Sequence, residues 1–192
     1  MALDLPRLAR ALGRRDRAAM RLPGFRESAV LVPIVIEAGL PDRLLFIERH
    51  AELRHHAGQI AFPGGTCDPG DGDASATALR EACEELGIAP ASVEVLGWLD
   101  DVPTPSRFVI TPVVGRIDGP LELRPAPAEV AGSFLADLAA LASPDHYSDG
   151  GEREFLNVRY RMHQYRWGEF QIWGATARIV HQLLSLSEAD PS

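Results

Sequence analysis

Asp73-Ala74-Ser75-Ala76-Thr77-Ala78-Leu79-Arg80-Glu81-Ala82-Cys83-Glu84-Glu85-Leu86-Gly87 is the stretch on which the fold turns. After the turn-rich loop that ends at Asp73 the chain reads as a helix from about Ala74 to Leu86, ended by Gly87. At 3.6 residues per turn Glu81, Glu84 and Glu85 stand at i, i+3 and i+4, within one arc of roughly 100°. Leu79, Ala82, Cys83 and Leu86 cover the opposite side. As a merely solvated face the acidic trio is unfavourable. Like charges at that spacing cost roughly 0.2–0.5 kcal/mol per pair. Carboxylates in a last helical turn oppose the helix dipole by about 0.3–1 kcal/mol each. A divalent cation reverses the sign of both effects, and clustered carboxylates are the hard oxygen donors that Mg²⁺ or Mn²⁺ prefers.

Outward from this helix the chain alternates between strand and helix patterns. Upstream, Asp68-Pro69-Gly70-Asp71-Gly72-Asp73 is too rich in turn residues for regular structure, and Ile60-Ala61-Phe62 runs into Pro63-Gly64-Gly65. Ala29 to Glu37 and Arg43 to Glu48 read as a hairpin of buried strands around Gly39-Leu40-Pro41-Asp42, preceded by a short helix, Leu3 to Leu12. Downstream, Val93 to Leu99, Phe108 to Ile117 and Glu154 to Arg161 read as strands, Ser133 to Leu141 and Trp173 to Leu186 as helices. Mixed elements without a fixed repeat predict one layered α/β domain over 29–187. Residues 1–28 are expected to form a helical extension packed on it, and 188–192 to fray.

Composition excludes several kinds of function. The 192 residues carry 19 basic and 27 acidic side chains, a formal net charge of −8, so a generic nucleic-acid grip is not expected. Every basic residue is arginine, which removes Schiff-base lysine chemistry and any phosphate-binding Gly-rich loop ending in Lys-Ser/Thr. Cys67 and Cys83 are too few and too far apart for a disulfide scaffold or a Cys-x-x-Cys pair, and are expected to be free thiols in a reducing compartment. Neither an export signal nor a membrane span is expected, since the longest apolar run, Ala29 to Ile36, contains Pro33. The expected location is the cytoplasm, with a small-molecule substrate.

Gly65, Asp71 and Arg80-Glu81-Ala82-Cys83-Glu84-Glu85-Leu86-Gly87-Ile88 resemble the Nudix box, G-x5-E-x7-R-E-U-x-E-E-x-G-U with U aliphatic. Asp71 stands where the pattern has Glu, eight residues rather than seven separate it from Arg80, and Ala82 is a small aliphatic residue. The resemblance implies a Nudix α/β/α sandwich with a mixed sheet, whose loop and helix present metal ions to a diphosphate. It makes Glu81, Glu84 and Glu85 the catalytic metal-binding carboxylates for Mg²⁺ or Mn²⁺. A carbonyl of Gly64 or Gly65 becomes a further contact, and Arg80 a residue that holds a carboxylate in place, with Asp71 as its natural partner.

A second resemblance lies immediately upstream. Leu45-Phe46-Ile47-Glu48-Arg49-His50-Ala51-Glu52-Leu53-Arg54-His55-His56-Ala57-Gly58-Gln59-Ile60-Ala61-Phe62-Pro63-Gly64-Gly65 is similar to the coenzyme A diphosphatase signature, L-L-T-x-R-[S/A]-x3-R-x3-G-x3-F-P-G-G. Arg49, Arg54, Gly58 and Phe62-Pro63-Gly64-Gly65 fall in register, while Phe46, Ile47 and His50 depart from it. Thr104-Pro105-Ser106, Thr111-Pro112-Val113-Val114-Gly115 and Ile172-Trp173-Gly174-Ala175-Thr176-Ala177 also resemble that subfamily. The implied reaction is metal-assisted hydrolysis of coenzyme A to 3′,5′-ADP and 4′-phosphopantetheine. Arg49 and Arg54 are its phosphate-binding candidates, since the arginine fork presents two aligned donors to phosphate oxygens. The alternatives are another nucleoside diphosphate derivative such as ADP-ribose, or a binding module without catalysis. Phe62 is expected in the core, and Trp173 as a helix anchor.

Overall fold

The computed structural model describes residues 4–50 and 58–188; Arg54, His55, His56, Leu3 and the tail 189–192 lie outside the described residues. Strand β1 (Arg26–Ile36) takes the centre because its apolar, β-branched run can be buried on both faces. It lies parallel to β7 (Phe108–Asp118) along its whole length, from Arg26 opposite Phe108 to Ile36 opposite Asp118. On its other edge β2 (Arg43–Arg49) pairs only at Ile34 with Leu44 and Val35 with Arg43, after which the two strands part. The chain fills the resulting fork with Ile60 to Thr66. There β3 (Ile60–Ala61) pairs with β2, β4 (Gly64–Thr66) pairs with β1, and the Leu31 amide donates to the Pro63 carbonyl at 2.8 Å. Gly64 permits this wedge, since a Cβ there would stand 2.6 Å from the Val30 Cα. Strands β5 (Val93–Trp98) and β6 (Val102–Pro103) join β7, and β8 (Val130–Asp137) joins β2, completing a mixed eight-stranded sheet among the described residues.

Alternation along the strands divides the core into two layers. Ala29, Leu31, Val35, Leu45 and Ile47 meet helix α2 (Ala74–Leu86) on one face. Val32, Ile34, Leu44 and Phe46 meet the side chains of α1 (Leu5–Arg14) and α4 (Gly174–Glu188) on the other. This is the layered α/β domain that the element pattern predicts, in the form of the α/β/α sandwich with a mixed sheet that the resemblance implies. Phe62 is buried with the second cluster, as expected. No helix among the described residues is long and apolar enough to cross a membrane.

The N-terminal segment is bound to the sheet rather than trailing from it. Asp4 caps α1 by accepting from the Arg7 amide at 2.9 Å, and Leu8 and Leu12 are buried. Arg15 and Arg17 then pair with Asp100 and Asp101, each at 2.6 Å, while the Ala18 and Met20 amides donate to the same two carboxylates. The boundary expected at 28/29 falls inside β1, which begins at Arg26.

Two expectations are overturned. Ser133 to Leu141 is not a helix. Val130–Asp137 forms β8 against β2 from Arg43 to Arg49, and only Leu138–Leu141 turns helically, as α3. The local preference of Ser133-Phe134-Leu135-Ala136 yields to pairing with the exposed edge of β2 and to stacking of Phe134 between Phe46 and Phe170, at centroid distances of 5.3 and 4.0 Å. Likewise Glu154 to Arg161 is not one strand but the tip of a hairpin, β9 (Tyr147–Phe155) and β10 (Val158–Trp167). Its two-residue turn is Leu156-Asn157, with φ of 55° and 60°, the left-handed conformation that tight hairpins need. A short β11 (Phe170–Ile172) completes this second sheet and leads into α4.

Candidate active site

Helix α2 has the boundaries its sequence predicts, and both ends are capped. Asp73 accepts from the Ala76 amide at 2.9 Å. Gly87 closes the helix at φ 72°, its amide and that of Ile88 donating to the Cys83 and Ala82 carbonyls, a motif that satisfies otherwise unpaired carbonyls. Thr77, Ala78, Ala82 and Leu86 face the sheet, and the small Ala78 and Ala82 let the helix lie close to it. Cys83, expected on this apolar side, is exposed; Cys67 and Cys83 are both free thiols.

The three glutamates share an arc but not an environment. Glu85 falls on the buried stripe with Ala78 and Ala82 and is 2% exposed, Glu81 is 15% exposed, and Glu84 is 58% exposed. Glu85 accepts from the Gly64 amide at 3.0 Å, and the Arg49 guanidinium lies 3.6 Å from its other oxygen. Burial pushes the Glu85 carboxyl up to about 7 from an ordinary 4.5, more than the Gly64 hydrogen bond and Arg49 lower it; Glu81 and Glu129 raise it further. Glu81 is also raised, first by burial, with Glu84 and Glu129 adding to the effect against the pull of Arg80. Gly65 completes the contact between fork and helix, since a Cβ there would collide with the Glu81 carboxyl.

Arg80 ties the loop to the helix. It donates through Nε and Nη2 to the two oxygens of Asp71, at 3.2 and 3.1 Å, and through Nη2 to the Thr66 carbonyl at 3.1 Å. Its Nη1 reaches Glu81 at 2.9 Å and Glu84 at 3.3 Å. The shorter Asp71 serves because the 68–71 turn carries it to the guanidinium; it also accepts from the Asp68 amide and the Thr77 hydroxyl. The Arg80 hydrogen bonds hold the Asp71 carboxyl well below the usual carboxylate range.

One acidic residue near this site escapes the sequence reading. The Ala126 amide donates to the Glu85 carbonyl and the Arg124 amide to that of Leu86, both at 2.8 Å, so the segment before β8 clasps the end of α2. It delivers Glu129 beside Glu81 and Glu85, whose ionisation its charge opposes; its carbonyl accepts from the His50 amide at 2.9 Å. A glutamate ahead of an apolar run carries no distinctive spacing, and the mistaken helix over 133–141 hid the strand that positions it.

The donor chemistry fits a divalent cation. Glu81, Glu84, Glu85 and Glu129 are hard oxygen donors, and burial and mutual repulsion leave the charge on the two inner ones poorly compensated by Arg49 and Arg80. Their side chains are not yet gathered around one point: among the described residues no three acidic, histidine or cysteine side chains form a ready metal cage. Arg80 draws Glu81 and Glu84 towards itself, and the exposed Glu84 is the one freest to swing away.

Comparison with known proteins agrees with this geometry. The NUDIX domain profile matches residues 25–157, more than half of the chain. The chain belongs to the Nudix family. This Nudix chain is 43% identical over 160 residues to the protein named "Uncharacterized Nudix hydrolase NudL" of Photorhabdus laumondii, covering 82% of this chain and 83% of the relative. The protein of the same name in Pectobacterium atrosepticum is 43% identical over 159 residues, covering 82% and 81%. Solved structures share the fold. The Nudix hydrolase RenU of M. smegmatis has a TM-score of 0.52 at 21% identity, covering 64% of this chain and 77% of that one. A MutT/nudix family protein of Enterococcus faecalis has a TM-score of 0.54 at 13% identity, covering 94% and 73%. The Nudix chain is therefore a hydrolase of diphosphate bonds in small nucleotide derivatives, a class that generally uses divalent metal ions.

Proposed function

We propose that the Nudix chain hydrolyses the diphosphate of coenzyme A, or of a derivative of it, to 3′,5′-ADP and 4′-phosphopantetheine, in the cytoplasm. Glu81, Glu84 and Glu85 hold Mg²⁺ or Mn²⁺, and Glu129 is a further acidic contact. Arg80 is a positioning residue that keeps loop and helix together through Asp71. Arg49 and Arg54 bind phosphate, and the Gly64-Gly65 backbone lies against the inner carboxylates. The observation that carries this reading is the place of Arg49. The first arginine of the stretch resembling the coenzyme A diphosphatase signature stands 3.6 Å from Glu85, at the fork where Gly64 meets the helix.

When bound, the cation neutralises the diphosphate and lowers the pKa of a water. The chain's own groups do the rest. Arg49 offers a guanidinium next to the carboxylates, so that a polyanion approaching a protein of net charge −8 meets positive charge where it is to be cleaved. Glu85 joins the helix to the fork by accepting from the Gly64 amide at 3.0 Å, which fixes the carboxylate beside Arg49.

Product analysis tests the proposal. Purified protein is incubated with Mg²⁺ or Mn²⁺ and with coenzyme A, its 3′-dephospho form or ADP-ribose. Release of 3′,5′-ADP and 4′-phosphopantetheine, fastest from coenzyme A, is the expected result. Faster cleavage of ADP-ribose would give the site to that substrate, and no cleavage of any of them would leave a binding module.

A further inference from the structure

We propose that Trp173 is the platform on which the purine base of the substrate stacks. The sequence points to a helix anchor, yet the indole is 45% exposed although Ile172 before it and Ala177 after it are fully buried. Strand alternation explains the outward direction: Ile172 pairs with Tyr165 and points into the core, so the next side chain points away. Gly174, at φ 63°, then turns the chain into α4.

The other two tryptophans are engaged. Trp98 donates its indole N–H to the Ser75 hydroxyl at 2.9 Å and lies beneath the Arg17 guanidinium; the Trp167 ring is 5.3 Å from that of His146. Among the described residues no ring, cation or hydrogen-bond partner engages the Trp173 side chain.

Its position ties it to the active site. One turn into α4 the Thr176 hydroxyl donates to the Ile60 carbonyl at 3.0 Å, fixing the helix to the strand that delivers Gly64 and Gly65. On the neighbouring residue, Gln59, the carbonyl accepts from the amide of Arg49, whose guanidinium faces Glu85. An aromatic surface that is 45% exposed thus stands at the start of the helix that Thr176 fixes to β3, the strand leading into Gly64 and Gly65. A purine offers a π-face to such a surface irrespective of its hydrogen-bonding edge. The inference rests on the reading of the substrate as a nucleoside diphosphate derivative. It does not depend on coenzyme A itself, because adenosine is common to coenzyme A and ADP-ribose.

Two measurements test it. Adenosine 3′,5′-bisphosphate titrated into the intact chain should quench tryptophan fluorescence saturably, and Trp173→Phe, which keeps Trp98 and Trp167, should abolish most of that quenching. In steady-state hydrolysis Trp173→Ala should raise KM roughly 10- to 100-fold, with kcat within about twofold of wild type, and Trp173→Phe should recover most of the loss. Quenching that persists in Trp173→Phe, or an unchanged KM in Trp173→Ala, overturns the proposal. If Trp173→Ala does not fold, the titration of wild type against Trp173→Phe decides. A chain that is quenched but cleaves nothing keeps its base platform and loses the proposed reaction; one that cleaves coenzyme A with no Trp173 signal does the opposite.

Discussion

Replacing Glu85 by Gln should stabilise the cation-free protein while disabling it. The side chain is buried, its carboxyl is pushed up to about 7, and Gln keeps its shape and an oxygen to accept from the Gly64 amide. Moving the carboxyl from 4.5 to about 7 means that charging it in the folded chain costs about 3 kcal/mol more than in the unfolded chain. The sign follows directly. The folded state retains the proton longer, so stability is highest below pH 4.5, falls as pH rises towards 7, and stays low above it. The amide abolishes that loss, but Arg49 then faces a neutral group, which returns part of the gain. A net stabilisation of about 2 kcal/mol at pH 8 corresponds to roughly 4–8 °C in Tm for a domain of this size. Thermal unfolding in a chelator at pH 5 and pH 8, wild type against Glu85→Gln, measures it. Hydrolysis by the variant should fall on the order of 100-fold or more. A variant no more stable than wild type at pH 8, or one with an undiminished pH dependence, would refute the account of Glu85 as a charge held at a cost in stability for use in the site.

Three further outcomes are expected. Gly64→Ala drives a Cβ into the backbone of β1 and should destabilise the fold by about 1–3 kcal/mol in urea unfolding, whereas the Cβ of Gly65→Ala first meets the movable Glu81 carboxyl, so that this variant should lower hydrolysis with little change in stability. Glu129→Gln removes a like charge facing Glu81 and Glu85 and should lessen the loss of stability between pH 5 and pH 8 in thermal melts with a chelator; an unchanged pH dependence would remove Glu129 from the site's electrostatics. His163 is held down to about 4 by burial, with the charge of His181, stacked 3.7 Å away, adding to the effect. Its ring is neutral in the fold and takes a proton in the unfolded chain, so stability should decline as pH falls from 6.5 towards 4; His163→Phe should flatten that decline in a pH series of thermal melts.

The helix over 74–86 was legible in the sequence because its determinants are local. Asp73 caps it, Gly87 ends it, and the glutamate spacing depends on helical pitch alone. The central strands were legible for a similar reason, since a run such as Ala29 to Ile36 has few options but burial on both faces. The pairing of Arg80 with Asp71 was also within reach, both residues lying in one contiguous loop and helix. The sequence could not divide the acidic trio. Which glutamate is buried depends on how α2 is rotated against the sheet, and that is decided by Ala78 and Ala82 packing over β1 and β2. Tertiary structure alone also turned Ser133-Phe134-Leu135-Ala136 into a strand, because the free edge of β2 was there to be paired. It likewise brought Glu129 to Glu85 across more than forty residues of chain, through hydrogen bonds from a segment with no pattern of its own. Trp173 shows the same division: its presence is sequence, but its exposure follows from Ile172 taking the inward position and from the left-handed turn at Gly174. Local chemistry selected the elements and the reactive groups. Burial, register and charge proximity, which exist only once distant segments meet, decided what each group experiences.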